Sequence, residues 1–174
     1  MPRTSRITIR TAEATEAPSI HALITANLAE GRLLPRALGE ITLRASKFVV
    51  AVRGRKVVGC AELARLSPQV AEVRSLAVDR TARRHGIGKA LVDELRSRAR
   101  REGYDQLCAF THAPGYFITM DFSIVPHLWL TEKVFADCVK CPKFRHCGQY
   151  AMVLPLESNV DSIDHTIQPV AVYP

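Results

Sequence analysis

The chain reads as an α/β protein built on a mixed sheet, and two observations carry that reading. Strand-like runs alternate with helical periods along most of its 174 residues, the order expected of parallel strands joined by crossover helices. In addition, Arg83-Arg84-His85-Gly86-Ile87-Gly88-Lys89-Ala90-Leu91 joins a glycine-bearing turn to an amphipathic helix, directly after the β-rich Val73-Arg74-Ser75-Leu76-Ala77-Val78. A helix start offers unpartnered backbone N–H groups and the positive end of its dipole to an anion. A diphosphate suits such a site; a plain tight turn that needs glycine for its backbone angles is the alternative.

In chain order, residues 7–10 form a first strand, and 18–29 a helix that begins after Thr15-Glu16 and stops at Gly31. A short helix is expected over 38–44. The runs 47–53 and 56–63 flank Gly54-Arg55, the signal of a tight hairpin, and 70–78 supplies a third partner strand. Ile87, Leu91, Leu95 and Ala99, with Ala90 beside them, have the spacing of a helix over 87–101 with one buried face. Arg96, Arg98, Arg100 and Arg101 crowd its last turns, where the dipole favours cations and solvent is expected to receive them. Gly103 stops this helix, and 106–110 follows as a buried strand, parallel to the one before the helix because such a unit crosses over right-handedly. Short helices are expected over 116–120 and 131–137, strands over 122–125 and 150–155. Residues 157–174 show no period and read as a tail or an appended edge element, which leaves one domain over 1–156.

Composition narrows the function. With 47% hydrophobic and 24% charged residues, the chain has the make-up of one compact domain with a real core. No stretch of about eighteen apolar residues occurs and no hydrophobic leader precedes the first strand, so a cytoplasmic protein without a membrane span is expected. A net charge of +7 suits an anionic nucleotide cofactor or an acidic substrate. Nucleic acid is disfavoured as a partner, because the arginines are spread, aromatic residues make up only 6%, and no nucleic-acid motif is present.

The order of elements and the motif together resemble the GNAT acetyltransferase superfamily, whose signature is Gln or Arg, two residues, Gly, one residue, then Gly or Ala. Here the matching positions are Arg83, Gly86 and Gly88, preceded by Leu76-Ala77-Val78-Asp79. The resemblance implies the GNAT fold, a central mixed sheet with helices on both faces, and acetyl-CoA as co-substrate. It further implies that the Arg84, His85, Gly86, Ile87, Gly88 and Lys89 amides hold the CoA diphosphate, with Arg83 at the head of the signature. Main-chain groups of Leu76, Ala77 and Val78 would hold the pantetheine arm and the acetyl carbonyl. Three further stretches, Glu30-Gly31-Arg32-Leu33-Leu34-Pro35-Arg36, Ala71 to Val78, and Leu130 to Phe144, are similar to the short standalone bacterial N-acetylglutamate synthases. That similarity, over about residues 6–156, implies acetylation of the α-amine of L-glutamate, the opening step of arginine biosynthesis. By analogy with other GNAT domains, a homodimer is expected.

Acyl transfer to an amine sets three tasks. The oxyanion needs an oriented N–H donor, for which the main chain at Ala77 or Val78 is the candidate. The ammonium must lose a proton; Glu72 at the head of its strand is the candidate base and Glu62 the second choice, a solvated strand-end charge being the alternative for Glu72. For the leaving thiolate, the family's aromatic, Tyr, two residues, Leu, Gly, Phe pattern aligns with Tyr116 to Phe122 and places Phe117 where the acid tyrosine stands. Either the thiolate leaves unprotonated, or water, His112 or Tyr116 substitutes. Tyr116, one residue away on a helix, is expected to point elsewhere, and Asp121 replaces the pattern's glycine. Two glutamate carboxylates call for arginines: Arg32, Arg36 and Arg74 are the candidates, with exposed salt bridges the alternative for the first two. Strict alternation along the strand puts Arg74 on the side of Glu72 and Leu76.

Cys138, Cys141 and Cys147, with His146 adjacent, stand at C-x2-C-x5-C. Adjacent His146 and Cys147 fit one tetrahedral ion poorly, so small buried thiols are expected there in place of a zinc site. Cys60 and Cys108 lie in apolar runs and read as core. Two other functions stay open at this level: a GNAT enzyme with another amine acceptor, and a non-catalytic acyl-CoA-binding module.

Overall fold

The computed structural model describes residues 6–30 and 33–156. Seven strands, β1 (Ile7–Thr11), β2 (Phe48–Arg53), β3 (Lys56–Arg65), β4 (Val70–Val78), β5 (Gln106–Thr111), β6 (Ser123–Val125) and β7 (Tyr150–Pro155), are accompanied by five helices: α1 (Ala17–Leu28), α2 (Leu38–Leu43), α3 (Ile87–Arg101), α4 (Pro114–Ile118) and α5 (Thr131–Ala136). The strands form one sheet in the order β1-β2-β3-β4-β5-β7-β6. β4 and β5 are parallel, joined through α3, and every other neighbouring pair is antiparallel.

Both faces of the sheet are covered, so the strands read as near-continuous apolar runs. On one face Ile87, Leu91, Leu95 and Ala99 of α3 pack with Val49, Leu63, Val73, Leu107 and Met152 into the main core, which also takes Phe117 and Phe122. On the other, Ile20 and Ile24 of α1 and Ile41 of α2 meet Phe48, Val50, Cys60 and Ala77. Further along that second face Leu130, just before α5, packs on Val70, Cys108 and Val153. Among the described residues no helix is long and apolar enough to cross a membrane.

Strict alternation fails in β4. Ser75 has φ 52°, and the register with β3 passes from Glu62 opposite Arg74 to Cys60 opposite Ala77, so two residues of β4 stand against Ala61 alone. This β-bulge shifts the side-chain phase by one position. Arg74 does share a face with Glu72, but Leu76 packs on the α3 side with Val73, against expectation, while Ala77 turns to the α1 side.

Three further expectations are corrected. Arg98 is 9% exposed and donates to the Ser46 carbonyl at 3.0 Å and to Thr11 Oγ1 at 2.6 Å, so it anchors α3 to the edge of the sheet and is not solvated. Helix α4 starts two residues earlier than expected, because Pro114 occupies its first turn, where a missing N–H is harmless. Phe122 is buried core ahead of β6, which begins at Ser123. Asp121 adopts φ 70° and so takes the left-handed turn that the family pattern assigns to glycine; a short polar side chain tolerates that region.

Candidate active site

The bulge at Ser75 and the end of β4–β5 pairing occur together. β4 and β5 are in register only from Val70 opposite Gln106 to Val73 opposite Ala109. Beyond that point they diverge, and from Ser75 to Val78 the edge of β4 facing β5 borders a cleft of about 450 Å³. Leu76, Ala77 and Val78 line it, as do Phe110, Thr111 and His112 across the gap. Ala77 is only 4% exposed and packs in the α1-side core, so it contributes little surface to the cleft it borders. A larger hollow of about 680 Å³ lies between α1 and the Gly54 hairpin, but it has no glycine loop and no strand fork.

Where the cleft meets α3, the loop is shaped for close approach. Arg84 has φ 65° and Gly86, the N-cap of α3, φ 73°, and the first helical hydrogen bond runs from the Ala90 N–H to the Gly86 carbonyl. Left-handed residues just before a helix turn successive amides toward one point, an anion cradle. A Cβ on Gly88 would run into the Tyr116 hydroxyl. Arg83, Arg84, Gly86, Ile87, Gly88 and Lys89 all border the cleft. His85 turns back on the loop, its Nδ1 2.7 Å from the Arg83 carbonyl oxygen. The Arg83 guanidinium braces the loop against α1: it donates to Asn27 Oδ1, to Glu30 Oε1 at 2.8 Å and to the Val78 carbonyl at 3.2 Å. Its hydrogen bond and then its charge, followed by the hydrogen bond and charge of Arg80, hold the Glu30 carboxyl below the usual range against desolvation.

Opposite α3, two charge clusters occupy neighbouring positions on the sheet. Glu62 is fully buried and accepts from Arg36 Nη1 at 2.8 Å and Arg44 Nε at 2.5 Å. Arg36 also donates to Glu40 through Nε and Nη2 and to Ser75 Oγ, so four of its five N–H donors are engaged, and its side chain is 11% exposed, unlike an exposed salt bridge. Beside this cluster Glu72, 3% exposed and therefore not a solvated charge, accepts from Arg74 Nε and Lys133 Nζ, which both also bind Asp137. Arg32 lies outside the described residues.

The acetyltransferase (GNAT) family profile matches residues 17–116. An uncharacterized N-acetyltransferase of Chlorobaculum tepidum is 31% identical over 85% of this chain and 96% of its own. The chain belongs to the GNAT acetyltransferase family. An amino-acid acetyltransferase of Mycobacterium tuberculosis is 31% identical over 78% of this chain and 79% of its own. Among solved structures, Rv2747 of Mycobacterium tuberculosis in complex with CoA and NLQ superposes with a TM-score of 0.75 at 27% identity, covering 86% of this chain and 99% of that one. This GNAT protein is an acetyl-CoA-dependent N-acetyltransferase, and the fork and the amide cradle are the parts of its fold that could hold a diphosphate and a pantetheine arm.

In this GNAT enzyme both Tyr116 and Phe117 border the cleft, contrary to the expectation that Tyr116 points elsewhere. Helix α4 is a single short turn at the rim, so adjacent positions both reach inward. Phe117 packs edge-on against Phe122 in the main core, whereas the Tyr116 hydroxyl stands over Gly88. Burial, and then the charge of Asp93, pushes the Tyr116 phenol up, so it is a proton donor at neutral pH. Cys138 and Cys141 are half-buried and Cys147 is exposed, not the buried thiols expected. Among the described residues no three His, Cys, Asp or Glu side chains converge to hold a metal ion. Lys133 and Asp137 escaped the sequence reading, although their i,i+4 spacing on an expected helix was a signal that they pair.

Proposed function

We propose that this enzyme transfers the acetyl group of acetyl-CoA to the α-amine of L-glutamate, supplying N-acetylglutamate for arginine biosynthesis in the cytoplasm. The observation that carries the reading is the placement of Arg74 at the fork: it is the first residue beyond the last β4–β5 pair, on the face opposite the diphosphate loop. A guanidinium there can grip an acceptor carboxylate bidentately while the thioester enters from the α3 side. The likeness to a mycobacterial amino-acid acetyltransferase supports the same acceptor class.

Bound acetyl-CoA supplies an activated thioester. Of the two main-chain candidates, Val78 directs its N–H away from β3, because the Asp79 N–H binds the Val58 carbonyl and Ala77 stands opposite Cys60. The Val78 N–H, beyond the end of β4–β5 pairing, stabilises developing negative charge on the acetyl oxygen. Glu72 takes the ammonium proton through water: Oε1 carries only the Lys133 ion pair at 2.9 Å and keeps a lone pair, while Oε2 holds Arg74. Tyr116, with His112 across the gap, is the donor within the cleft for the departing thiolate. The test is CoA thiol release with the twenty amino acids, spermidine and a short peptide as acceptors. Selective turnover with glutamate is expected, reduced about tenfold or more in Arg74→Ala, the cost of one charge-assisted carboxylate contact. Turnover with amines or peptide alone would replace glutamate by another acceptor, and binding of acetyl-CoA without any turnover would replace catalysis by sensing.

A further inference from the structure

The two anions that hold Arg74 and Lys133 are not equivalent. Glu72 grows from β4 and lies buried beneath both cations. Asp137 follows the end of α5, and its side chain is 42% exposed. A single oxygen of it, Oδ2, accepts from Arg74 Nη2 at 2.5 Å and from Lys133 Nζ at 2.8 Å. A carboxylate gripped between a guanidinium and an ammonium is how proteins bind small acidic molecules. Here a carboxylate of the chain itself fills that position.

Charge counting separates the roles further. Arg74 and Lys133 over Glu72 leave one unit of positive charge, and Asp137 cancels it. Burial works against ionisation of Asp137, but the Lys133 hydrogen bond and charge and the Arg74 charge outweigh it and hold the carboxyl below its usual range. The group is therefore an anion at neutral pH, as a substrate carboxylate would be.

The clasp also sits in the right place. Arg74 and Phe110 are the first residues past the last β4–β5 pair, Phe110 lines the cleft, and the Lys133 ammonium lies 5.4 Å from the Phe110 ring centre. Helix α5 is rooted in the core at its start by Leu130, 1% exposed, whereas Phe135 near its end is 72% exposed. Release of Asp137 thus leaves the Leu130 anchor and the sheet undisturbed.

We infer that Arg74 and Lys133 form a carboxylate clasp for the acceptor, and that Asp137 is its resident occupant, exchanged for a substrate carboxylate when the acceptor binds. Lys133 is then a specificity-determining residue alongside Arg74. The inference rests on the reading of the acceptor as an acidic amino acid, so its test uses glutarate, which carries glutamate's carboxylates without an amine to acetylate.

Glutarate binding is measured by titration calorimetry on the full chain. Asp137→Asn is expected to bind glutarate about fivefold or more tightly than the unsubstituted protein, and Lys133→Met about tenfold or more weakly, the worth of one charge-assisted contact. Glu132→Gln removes a charge from the same helix at a residue that makes no ion pair among the described residues, and is expected to leave binding unchanged. Unchanged or weaker binding in a folded Asp137→Asn, equal tightening in Glu132→Gln, or no glutarate binding in any form would overturn the clasp. Should Asp137→Asn fail to fold, the Lys133→Met measurement decides alone: undiminished binding there refutes the clasp. Glutarate binding as expected, together with turnover of some acidic amine other than glutamate, would retain the clasp and retire the glutamate reading.

Discussion

Asp79 shows how much of the cofactor loop depends on single side chains. It follows β4 directly, accepts from the Thr81 N–H at 2.9 Å and the Thr81 hydroxyl at 2.7 Å, and pairs with Lys56 at 2.6 Å. These contacts close the turn over Arg80–Ala82 that leads into the loop. The Lys56 hydrogen bond, then those of Thr81, hold its carboxyl down to about 2. A carboxyl whose folded pKa is depressed adds stability that is complete above its unfolded value near 3.9 and is lost as pH falls through the folded one. Asp79→Ala is therefore expected to lower stability by about 1 kcal/mol at pH 7, a figure that allows for solvent screening of the exposed Lys56. The gap should narrow between pH 4 and pH 2, which paired thermal melts across that range would measure. A constant gap at all pH values would mean that turn shape alone, without the charge, sets the contribution.

At the scale of elements, the N-terminus of α3 is the part whose chemistry the sequence displays most openly. Gly88 leaves room where a methyl group would meet the Tyr116 hydroxyl, the far end of a side chain that can rotate aside. Gly88→Ala is thus expected to melt close to the unsubstituted protein while raising the KM for acetyl-CoA about tenfold, since the methyl holds a diphosphate off the amides. An unchanged KM would place the diphosphate elsewhere. This loop was legible because glycine spacing and the period of α3 are local signals, as were the Gly54 hairpin and the parallel β4–β5 pair. The acceptor side was legible only in part. Glu72 and Arg74 could be put on one face by alternation, but the bulge at Ser75 that turns Leu76 away has no residue signature, because serine is not a residue that marks a φ of 52°. Nor could spacing show that Arg36, besides its i,i+4 partner Glu40, reaches Glu62 26 residues away, or that α5 brings Lys133 and Asp137 from 61 and 63 residues away to Glu72 and Arg74. Such pairings are set by the fold, not by neighbours in the chain.

For the molecule as a whole, opening the sheet to make the cleft leaves its two parts, β1 to β4 and β5 to β7, joined in register over only four residue pairs. The larger link between them is the core under α3, in which Val49 and Leu63 from one part and Leu107 and Met152 from the other pack around Leu91 and Leu95, with Val70, Cys108 and Val153 meeting under Leu130 on the opposite face. A shared core of this kind should make unfolding cooperative in spite of the short seam. The cysteines report on it. Burial pushes the Cys60 thiol up to about 12 and the Cys108 thiol higher still, so neither supplies thiolate in the folded state, whereas Cys147 is exposed and Cys138 and Cys141 are partly so. Alkylation of the native protein is expected to mark the last three and spare the first two. With rising urea, Cys60 on β3 and Cys108 on β5 should become reactive at one midpoint, coincident with loss of helical signal. Reaction of Cys108 at lower urea than Cys60 would instead show that the β5–β7–β6 part opens first along the cleft, and that the α3 core does not bind the halves into a single unit.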